Sequence, residues 1–375
     1  MTELLSPAGN KESFFAAINN GANAVYLGLD DFSARKSAEN FSRENLSYYI
    51  DYAHALLGIK VYVALNTLVK NEELERFFEY ADFCNAAGVD GVILQDIFLG
   101  KHLKARFPDL PLHLSTQAGV NNADGARLAK EFGFSRVVLS RETPIEEIKK
   151  ISEIIETECF IQGALCTAFS GQCYMSGFAG NMSGNRGLCK QPCRKKYTIK
   201  NGNETREGYL ISLADLSIGK DIFSLIDAGV TSFKIEGRMR KPSFVAAATR
   251  YYRNLLDGEN PSISALTRTF NRGDYTKGLG FGQDKNLISD KIQSHKGEFA
   301  GTIKSVKNGI INAESARSFV PGDSGKIIRS GFEVGSFTCD KSGVLRASGS
   351  AARGDELNIT TDDNLETELL NRKIT

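Results

Sequence analysis

The first 240 residues alternate between short apolar runs, typical of β-strands, and longer segments with the periodicity of amphipathic helices. Because a strand, a helix and a second strand form a right-handed βαβ unit, this alternation predicts a parallel sheet covered by helices. The predicted strands are Glu3–Ser6, Ala24–Gly28, Lys60–Leu65, Gly91–Gln95, Leu112–Thr116, Arg136–Ser140, Glu158–Gln162 and Ser232–Glu236. Eight strands in a segment of about 240 residues predict a (β/α)8, or TIM-like, barrel.

Helical patterns fill the intervals between these strands. They are clearest over Glu12–Asn20, Glu44–Leu57, Glu72–Ala87, Asp124–Phe132 and Ile145–Ile155. Glycines stand where helices would end in a left-handed residue, at Gly21, Gly58, Gly88, Gly133 and Gly229. The competing fold is a doubly wound open sheet. No GxGxxG motif follows the first strand, which disfavours the dinucleotide-binding form of that fold.

Two regions interrupt the alternation. Residues 163–209 are rich in Gly, Cys, Asn and Arg and lack periodicity, which predicts a functional insertion in the barrel. From about Lys296, short β-like runs separated by Gly, Asn and Asp predict a small β-barrel-like domain. We therefore expect an α/β protein with a barrel over 1–257, a connection over 258–295, and a small β domain with a C-terminal helical stretch over 296–375. The stretch Leu365–Arg372 ends without an evident cap, so we expect the chain to belong to a longer polypeptide.

Composition and charge exclude several classes of protein. The chain has 375 residues, of which 41% are hydrophobic and 24% charged, and this excludes wholesale disorder. The net charge of +1 excludes a chain-wide basic field for nucleic acid but allows a local patch. There is no run of about 18 uncharged apolar residues, so no membrane span is expected. The first residues lack the basic and apolar regions of a signal peptide, and the expected location is the cytoplasm, where thiols stay reduced.

Four of the seven cysteines fall in the insertion with the spacing C-x6-C-x15-C-x3-C; they are Cys166, Cys173, Cys189 and Cys193. Thiolates are soft ligands that suit zinc or an iron–sulfur cluster. Structural zinc usually comes with tight C-x2-C pairs, so the wider gaps favour a cluster. Neighbouring glycines would let the backbone fold closely around it. Zinc, two disulfides and four unrelated thiols remain the alternatives.

The insertion and the segment after the eighth strand are also basic. We expect five of their residues to form one patch that attracts an anion or a phosphate backbone. These residues are Arg194, Lys195, Lys196, Arg240 and Lys241. The alternative is a solvated surface that balances the negative charge of a thiolate-bound cluster.

Polar side chains follow the predicted strands at the ends where barrel enzymes carry their sites. The candidate catalytic residues are Asn66, Gln117, Arg141, Glu142, Glu236 and Arg238. We expect the two arginines to hold an anionic group and the two glutamates to orient them or relay protons. The amides of Gln117 and Asn66 are expected to contact a base or an oxygen donor. Since the insertion begins directly after the seventh strand, the cysteines should lie over the same face.

Several segments resemble the collagenase-like peptidase family U32. The most specific is ECFIQGALCTAFSGQCYMS (158–176), with Glu158, Gly163, Cys166, Gly171, Cys173 and Ser176. The others are ALNTL (64–68), STQAG (115–119), VVLSRE (137–142), NRGLCKQPCRKKY (185–197), FKIEGR (233–238) and RTFNRGDY (268–275). The resemblance implies a barrel followed by a small β domain, and a 4Fe–4S cluster as in the better-studied members.

The resemblance also implies an activity. Such members hydroxylate RNA, at a ribosomal RNA cytidine or the tRNA wobble uridine, or hydroxylate ubiquinone without oxygen, whereas older assignments call the family proteases. The chain looks most similar to the branch that hydroxylates ribosomal RNA cytidine. For that branch, the resemblance implies prephenate as a candidate oxygen-donating, anionic co-substrate.

Two other functions compete with RNA hydroxylation. A peptidase would be expected to show HExxH or GxSxG, and the sequence contains neither. The four histidines, His54, His102, His113 and His295, lie away from the cysteines in sequence. The third possibility is a non-catalytic, cluster-bearing scaffold that delivers RNA or a partner, and an intact polar ring at the strand ends would argue against it. We therefore expect an iron–sulfur enzyme that hydroxylates a base in RNA.

Overall fold

A closed parallel barrel forms the first part of the structure, a computed structural model that describes residues 2–36, 38–282 and 284–373. The first eleven strands are β1 (Glu3–Pro7), β2 (Ala24–Leu27), β3 (Lys60–Leu65), β4 (Gly91–Leu94), β5 (Leu112–Leu114), β6 (Arg136–Val138), β7 (Glu156–Ala164), β8 (Tyr197–Asn201), β9 (Glu204–Gly208), β10 (Asp215–Ser217) and β11 (Ser232–Ile235). Strands β1 to β7 and β11 are parallel, and β11 pairs with both β7 and β1. The predicted (β/α)8 barrel is confirmed, and closure of the sheet excludes the doubly wound alternative.

Helices follow most of the barrel strands and cover the outside of the barrel. The α-helices of the described residues are α1 (Lys11–Asn19), α2 (Arg43–Leu57), α3 (Leu74–Ala86), α4 (Ile97–Arg106), α5 (Ala123–Glu131), α6 (Ile145–Ser152), α7 (Met175–Gly180), α8 (Ile222–Asp227), α9 (Pro242–Leu256), α10 (Ser264–Thr269) and α11 (Asp363–Leu370). The five glycines at predicted helix ends all have positive φ, from 60° at Gly58 to 97° at Gly21. A left-handed residue ends a helix at little cost only where there is no Cβ, so the glycine positions predict the helix ends.

The inside of the barrel is partly charged. Leu4 faces the helices, and the alternation along a strand therefore turns Glu3 inward. Arg136 pairs with Glu3 at 2.6 Å and with Glu158 at 3.2 Å, and Lys234 pairs with Glu158 at 2.6 Å. All four charged side chains are more than nine-tenths buried. Each has a partner, which is what burial of a charge requires.

The insertion begins after strand β7 and ends at a strand that pairs with β7. It follows β7 and contains α7 and the two-stranded hairpin of β8 and β9. It returns as β10, which pairs antiparallel with the end of β7, with Asp215 opposite Ala164 and Ser217 opposite Gln162. This pairing holds the insertion at the C-terminal ends of the barrel strands, where the polar side chains were expected.

A second, smaller barrel follows. Its antiparallel strands are β12 (Glu298–Lys307), β13 (Ile310–Ser315), β14 (Ser324–Arg329), β15 (Phe332–Cys339), β16 (Leu345–Gly349) and β17 (Glu356–Thr361). They close in the order β12-β13-β16-β15-β14-β17. Ile303, Ile327, Phe337 and Leu357 are buried at its centre. The predicted small β-barrel-like domain is therefore present.

Two helices connect the barrels. Arg268 of α10 pairs with Glu298 of β12 at 3.1 Å. Leu365 and Leu369 of α11 are buried in the core of the first barrel, and Asn20 donates to the Leu369 carbonyl at 3.3 Å. The C-terminal helical stretch thus packs on the first barrel, although the sequence grouped it with the small domain; the domain boundaries themselves stay predictions. Across the described ranges, no helix combines the length and apolar character needed to cross a bilayer.

Candidate active site

The mouth of the large barrel holds a carboxylate between two arginines. Glu236 follows β11; its Oε1 accepts a hydrogen bond from Arg35 at 3.2 Å and its Oε2 accepts one from Arg141 at 3.5 Å. Burial alone would raise the pKa of Glu236, but the charges of Arg35 and Arg141 outweigh it and keep that pKa below its ordinary value. The ionised carboxylate and two guanidinium groups carry a net charge of +1. The mouth therefore retains positive charge for an anionic ligand.

Both arginines are held in place by their surroundings. The guanidinium of Arg141 lies 3.9 Å from the centre of the Phe160 ring, and its side chain is largely buried. Arg35 lies in the loop between β2 and α2, where Asn66 Oδ1 accepts a hydrogen bond from the Ala34 backbone N–H at 3.0 Å. Asn66 was expected to contact a base or an oxygen donor. The structure instead places its side chain as a support for the loop that carries Arg35.

Arg238 lies apart from the position expected of it. Its guanidinium is buried and donates to Ser33 Oγ at 2.8 Å and to Asn40 Oδ1. Burial lowers the pKa of Arg238 to about 10. Glu236 is paired with Arg35 and Arg141 instead, so the expected pair of Arg141 and Arg238 is replaced by Arg141 and Arg35.

Glu142 links the barrel to the insertion. Its Oε1 accepts hydrogen bonds from Ser170, at 3.1 Å from the backbone N–H and 3.3 Å from the hydroxyl. The Ser170 hydroxyl also accepts from the Arg141 backbone N–H at 3.2 Å. Glu142 Oε2 is buried and has no partner among the described residues. Glu142 therefore positions the insertion between the first two cysteines and leaves one oxygen free.

The cysteine-bearing insertion contacts the loop that carries Arg35. A Cβ at Gly187 would lie 2.6 Å from the Ser33 carbonyl oxygen and 3.1 Å from the Lys36 backbone nitrogen. Burial raises the pKa of the Cys193 thiol, and the charge of Arg194 lowers it. The insertion and the barrel mouth are therefore neighbours, and convergence of the four thiols on one point stays a prediction.

The donor chemistry of this group fits a thiolate-bound cluster. All four cysteines are free thiols, and Cys166 and Cys189 are exposed. Gly184 packs against them, since a Cβ there would lie 3.6 Å from Cys189 Cβ. Within the described residues, no three Cys, His, Asp or Glu side chains stand together as ligands of one metal ion. Zinc and an iron–sulfur cluster both require four thiolates that converge on one group, so both remain predictions for this site.

Close backbone contacts attach the insertion to the barrel. Gly171 has a φ of +78°, and a Cβ at this residue would lie 1.9 Å from the carbonyl oxygen of Gln117. Asn185 Nδ2 donates to the Gly171 carbonyl at 2.9 Å. Arg186 donates to both carboxylate oxygens of Glu73, at 2.8 and 2.5 Å. The insertion is therefore fixed from both sides.

Gly171→Ala is expected to loosen the insertion, whereas Gly177→Ala in α7 is the matched control. The first change creates the overlap with Gln117 and a strain of about 1–3 kcal/mol; a Cβ at Gly177 would meet no atom within 4 Å. Amide exchange over residues 164–209 should therefore rise about tenfold or more in the first variant only. Equal exchange in both variants would contradict this anchor.

The predicted RNA-binding residues do not form one free patch. Arg194 is buried and donates to Ser212 Oγ at 2.9 Å and to the carbonyls of Leu165 and Leu213, so it holds the backbone of the insertion. Three others have carboxylate partners: Lys196 with Glu207, Arg240 with Asp215 and Lys241 with Glu366. Three lysines are exposed and have no carboxylate partner in the described ranges. They are Lys36, Lys190 and Lys195.

Gln117 lines a cavity of about 500 Å³ beside the barrel mouth. Its side-chain oxygen is buried without a partner in the described part of the chain. Gln117 therefore lies at a cavity, and its contact with a base or an oxygen donor stays a prediction.

The sequence did not predict a role for Arg35 or for the charged barrel interior. Arg35 lies eight residues beyond the end of β2, whereas the predicted site residues all lie close to strand ends. The basic pair Arg35–Lys36 in a βα loop was the available signal. Arg136 and Lys234 lie inside predicted strands, where a charge at an inward position was itself a signal of a buried ion pair.

Together, the fold and site define a (β/α)8-barrel protein that carries a thiol-rich insertion over a positively charged mouth. Residues 9–289 match Peptidase family U32. The chain belongs to this family.

Three curated relatives show what such chains have been named. The 23S rRNA 5-hydroxycytidine synthase of Escherichia coli is 39% identical over 260 residues, covering 68% of this chain and 39% of the relative. A tRNA hydroxylation protein of Bacillus subtilis is 35% identical over 266 residues, covering 68% and 63%. A collagenase of Porphyromonas gingivalis is 35% identical over 274 residues, covering 68% and 65%. This chain spans less than two thirds of the length of each.

Proposed function

We propose that this chain hydroxylates a base in RNA, a ribosomal RNA cytidine or a tRNA uridine, with the help of a 4Fe–4S cluster. The observation that carries the proposal is the contact of the cysteine-bearing insertion, at Gly187, with the loop of Arg35, which pairs with Glu236 at the barrel mouth. Two relatives named for rRNA and tRNA hydroxylation support it. Such a substrate agrees with the cytoplasmic location that the sequence predicts.

Each part of the site has a role in this proposal. Cys166, Cys173, Cys189 and Cys193 would hold the cluster, which supplies electron transfer or activation of the oxygen donor when bound. Arg35 and Arg141 bind the carboxylate of an anionic donor such as prephenate, because a guanidinium fork forms two parallel hydrogen bonds with it. Glu236 orients both arginines.

The exposed surface around the insertion supplies contacts for RNA. Lys36, Lys190 and Lys195 are exposed without carboxylate partners in the described ranges and can pair with phosphates. Phe169 of the insertion is 69% exposed. Aromatic faces of this kind stack on unpaired bases. This set replaces the five basic residues that the sequence singled out.

No geometry among the described residues favours the peptidase alternative. His113 is buried inside the barrel against Tyr62, and burial lowers its pKa well below the ordinary value. His54 is paired with Asp90 at 2.7 Å, and His295 is bonded to the backbone at Arg268. A nucleophilic cysteine needs a base within hydrogen-bond reach.

The ionised carboxylate of Glu236 at the barrel mouth argues against the other alternative, a non-catalytic scaffold.

The proposal is tested by the appearance of an oxygenated nucleoside in cells. RNA from cells that lack this gene, with and without a wild-type copy, is digested and compared by mass spectrometry for a nucleoside heavier by one oxygen atom. Anaerobically purified protein is analysed for iron and sulfide in parallel. Peptide hydrolysis by the iron-loaded protein, without any oxygenated nucleoside in the complemented cells, would overturn the proposal in favour of the peptidase.

Arg141→Lys is expected to weaken prephenate binding by about 10- to 150-fold, the loss of a charge-assisted hydrogen bond. Lysine keeps the charge but cannot form the two parallel bonds of the fork. Arg127→Lys is the control, because Arg127 is exposed on α5 and pairs only with Asp124. Titration calorimetry measures the dissociation constants. An Arg141→Lys variant that binds prephenate as tightly as the control would remove Arg141 from the anion site.

A further inference from the structure

A cavity lies beside the charged mouth of the large barrel. The cavity of about 500 Å³ opens between the C-terminal ends of β4 and β5 and the insertion. Leu114 and Val120 lie on its apolar side, and Gly171 with Asn185 close it from the insertion. Its size falls in the range of sites for small molecules rather than for a peptide groove.

The lining of this cavity is polar but almost uncharged. Its amide side chains are Gln95, Gln117, Asn121, Asn122, Gln172 and Asn185. No lysine or arginine lines it, and its one carboxylate, Asp96, is engaged by the backbone N–H groups of Phe98 and Leu99. An anion would find no counter-charge here, whereas the neighbouring mouth offers two guanidinium groups. The two surfaces therefore suit different ligands.

Two amide residues that line this cavity carry buried oxygens without a partner. Gln95 is only 7% exposed, and its Oε1 has no partner in the described part of the chain. Its Nε2 donates to the Gln117 backbone carbonyl at 3.5 Å, and the Gln117 side-chain oxygen is likewise buried and unpaired. If the Gln95 amide were turned over, its nitrogen would be left unpaired instead. Buried polar atoms are nearly always paired, so an amide that turns towards a ligand in the cavity would gain the N–H donor that its oxygen lacks.

Aromatic rings stand at the edge of the same cavity. Phe98 is 68% exposed and Tyr174 is 55% exposed, and both line it. Phe98 is supported edge-on by Phe132 at 5.4 Å, and the Tyr174 hydroxyl donates to Gln172 Oε1 at 3.0 Å. Supported aromatic faces beside hydrogen-bonding amides are how proteins bind an unstacked base.

We propose that this cavity binds the target nucleobase, extruded from the RNA, and that Gln95 and Gln117 accept hydrogen bonds from N–H groups on its edge. The inference rests on the proposed function and divides the site in two. The amide cavity takes the uncharged base, and the arginine mouth takes the anionic oxygen donor. Tyr174 and Phe98 stack on the base or on its neighbour.

The test measures nucleoside binding to the full chain by saturation-transfer NMR titration. Each nucleoside is compared with an analogue that lacks its N–H donors: cytidine with N4,N4-dimethylcytidine, and uridine with 3-methyluridine. We expect at least one pair to differ about tenfold or more in affinity, because the analogue leaves the amide oxygens unpaired. Absence of binding by both natural nucleosides, or equal affinities within both pairs, would overturn the assignment.

Variants connect the binding to the cavity. Gln95→Leu replaces the amide with an apolar side chain one atom shorter and removes the unpaired oxygen. We expect a folded protein in which the preferred nucleoside binds about tenfold more weakly and no longer differs from its analogue. Tyr174→Ala, an exposed change that does not threaten folding, should also weaken binding. Phe178→Ala is its matched control, since Phe178 is exposed on α7 and does not line the cavity. Unchanged binding in both Gln95→Leu and Tyr174→Ala would overturn the inference.

The outcomes separate this inference from the proposed function. If the wild-type gene produces the oxygenated nucleoside and Gln95→Leu produces it at the same rate, the cavity assignment fails while hydroxylation stands. If no oxygenated nucleoside appears but the N–H-dependent binding and its loss in Gln95→Leu are observed, the cavity assignment stands and the proposed function fails.

Discussion

Arg136→Leu is expected to lower the free energy of unfolding by about 3–5 kcal/mol, the cost of removing one partner from a buried ion pair. Arg136 pairs inside the barrel with Glu3 and Glu158, both buried. Lys234 remains for Glu158, so Glu3 is the carboxylate left without its main partner. Denaturant unfolding monitored by circular dichroism measures the loss. Arg127→Leu, which breaks an exposed pair with Asp124, should show no measurable change.

The loss in Arg136→Leu should be larger at neutral than at acid pH. In the wild type, burial would raise the pKa of Glu3, but the Arg136 charge and hydrogen bonds from Arg136, Tyr62 and Ser232 outweigh it and lower that pKa. Because the pKa of Glu3 is lower in the folded than in the unfolded state, the ionised carboxylate stabilises the wild type at pH values above the unfolded-state pKa. This stabilisation is lost as the pH falls through the folded-state pKa. Without Arg136 the effect of burial dominates, so protonation of Glu3 relieves the variant. Equal losses at about pH 5 and about pH 7.5 would contradict this account.

Cys166→Ala and Cys193→Ala are each expected to abolish the oxygenated nucleoside and to reduce bound iron below one cluster per chain. The barrel should stay folded, because its core is packed without the insertion's thiols. Mass spectrometry of cellular RNA and iron analysis of anaerobically purified protein measure the two effects.

Cys84→Ala is the matched control for these substitutions. Cys84 is buried in the core on α3, and burial raises the pKa of its thiol to about 12, so it is neither a ligand nor a nucleophile. It should keep both iron and product. Full iron content in Cys166→Ala would remove that residue from the ligand set and with it the proposed cluster.

The barrel could be predicted because its signals are local. Every predicted strand falls within two residues of an observed one at each end, and each helix-stop glycine has the expected positive φ. Helix α9 was harder, because residues Ser243–Thr249 are all buried and no polar face marks the period. Local periodicity therefore predicts elements that face solvent on one side and misses those that are enclosed.

The candidate site was predicted only in part, because partners across the fold are not visible in sequence. Arg238 and Arg141 look equivalent as residues after strands, yet Ser33 and Asn40 bind the first and Glu236 binds the second. Arg194 sits in a run of basic residues, but its side chain turns inward to carbonyl groups. Which cation is free depends on distant loops, and their positions come only with the folded structure.

The closeness of the two ends of the insertion has a consequence for how this protein could change over evolution. Ala164 and Asp215 are paired across β7 and β10, so the two ends of the insertion are already neighbours. For a segment of this kind, doubling its length costs only about 0.6 kcal/mol of closure free energy. Because closure costs so little, changes in the length of the insertion are expected to leave the folding of the barrel intact. Chemistry carried by the insertion can thus change while the barrel is retained.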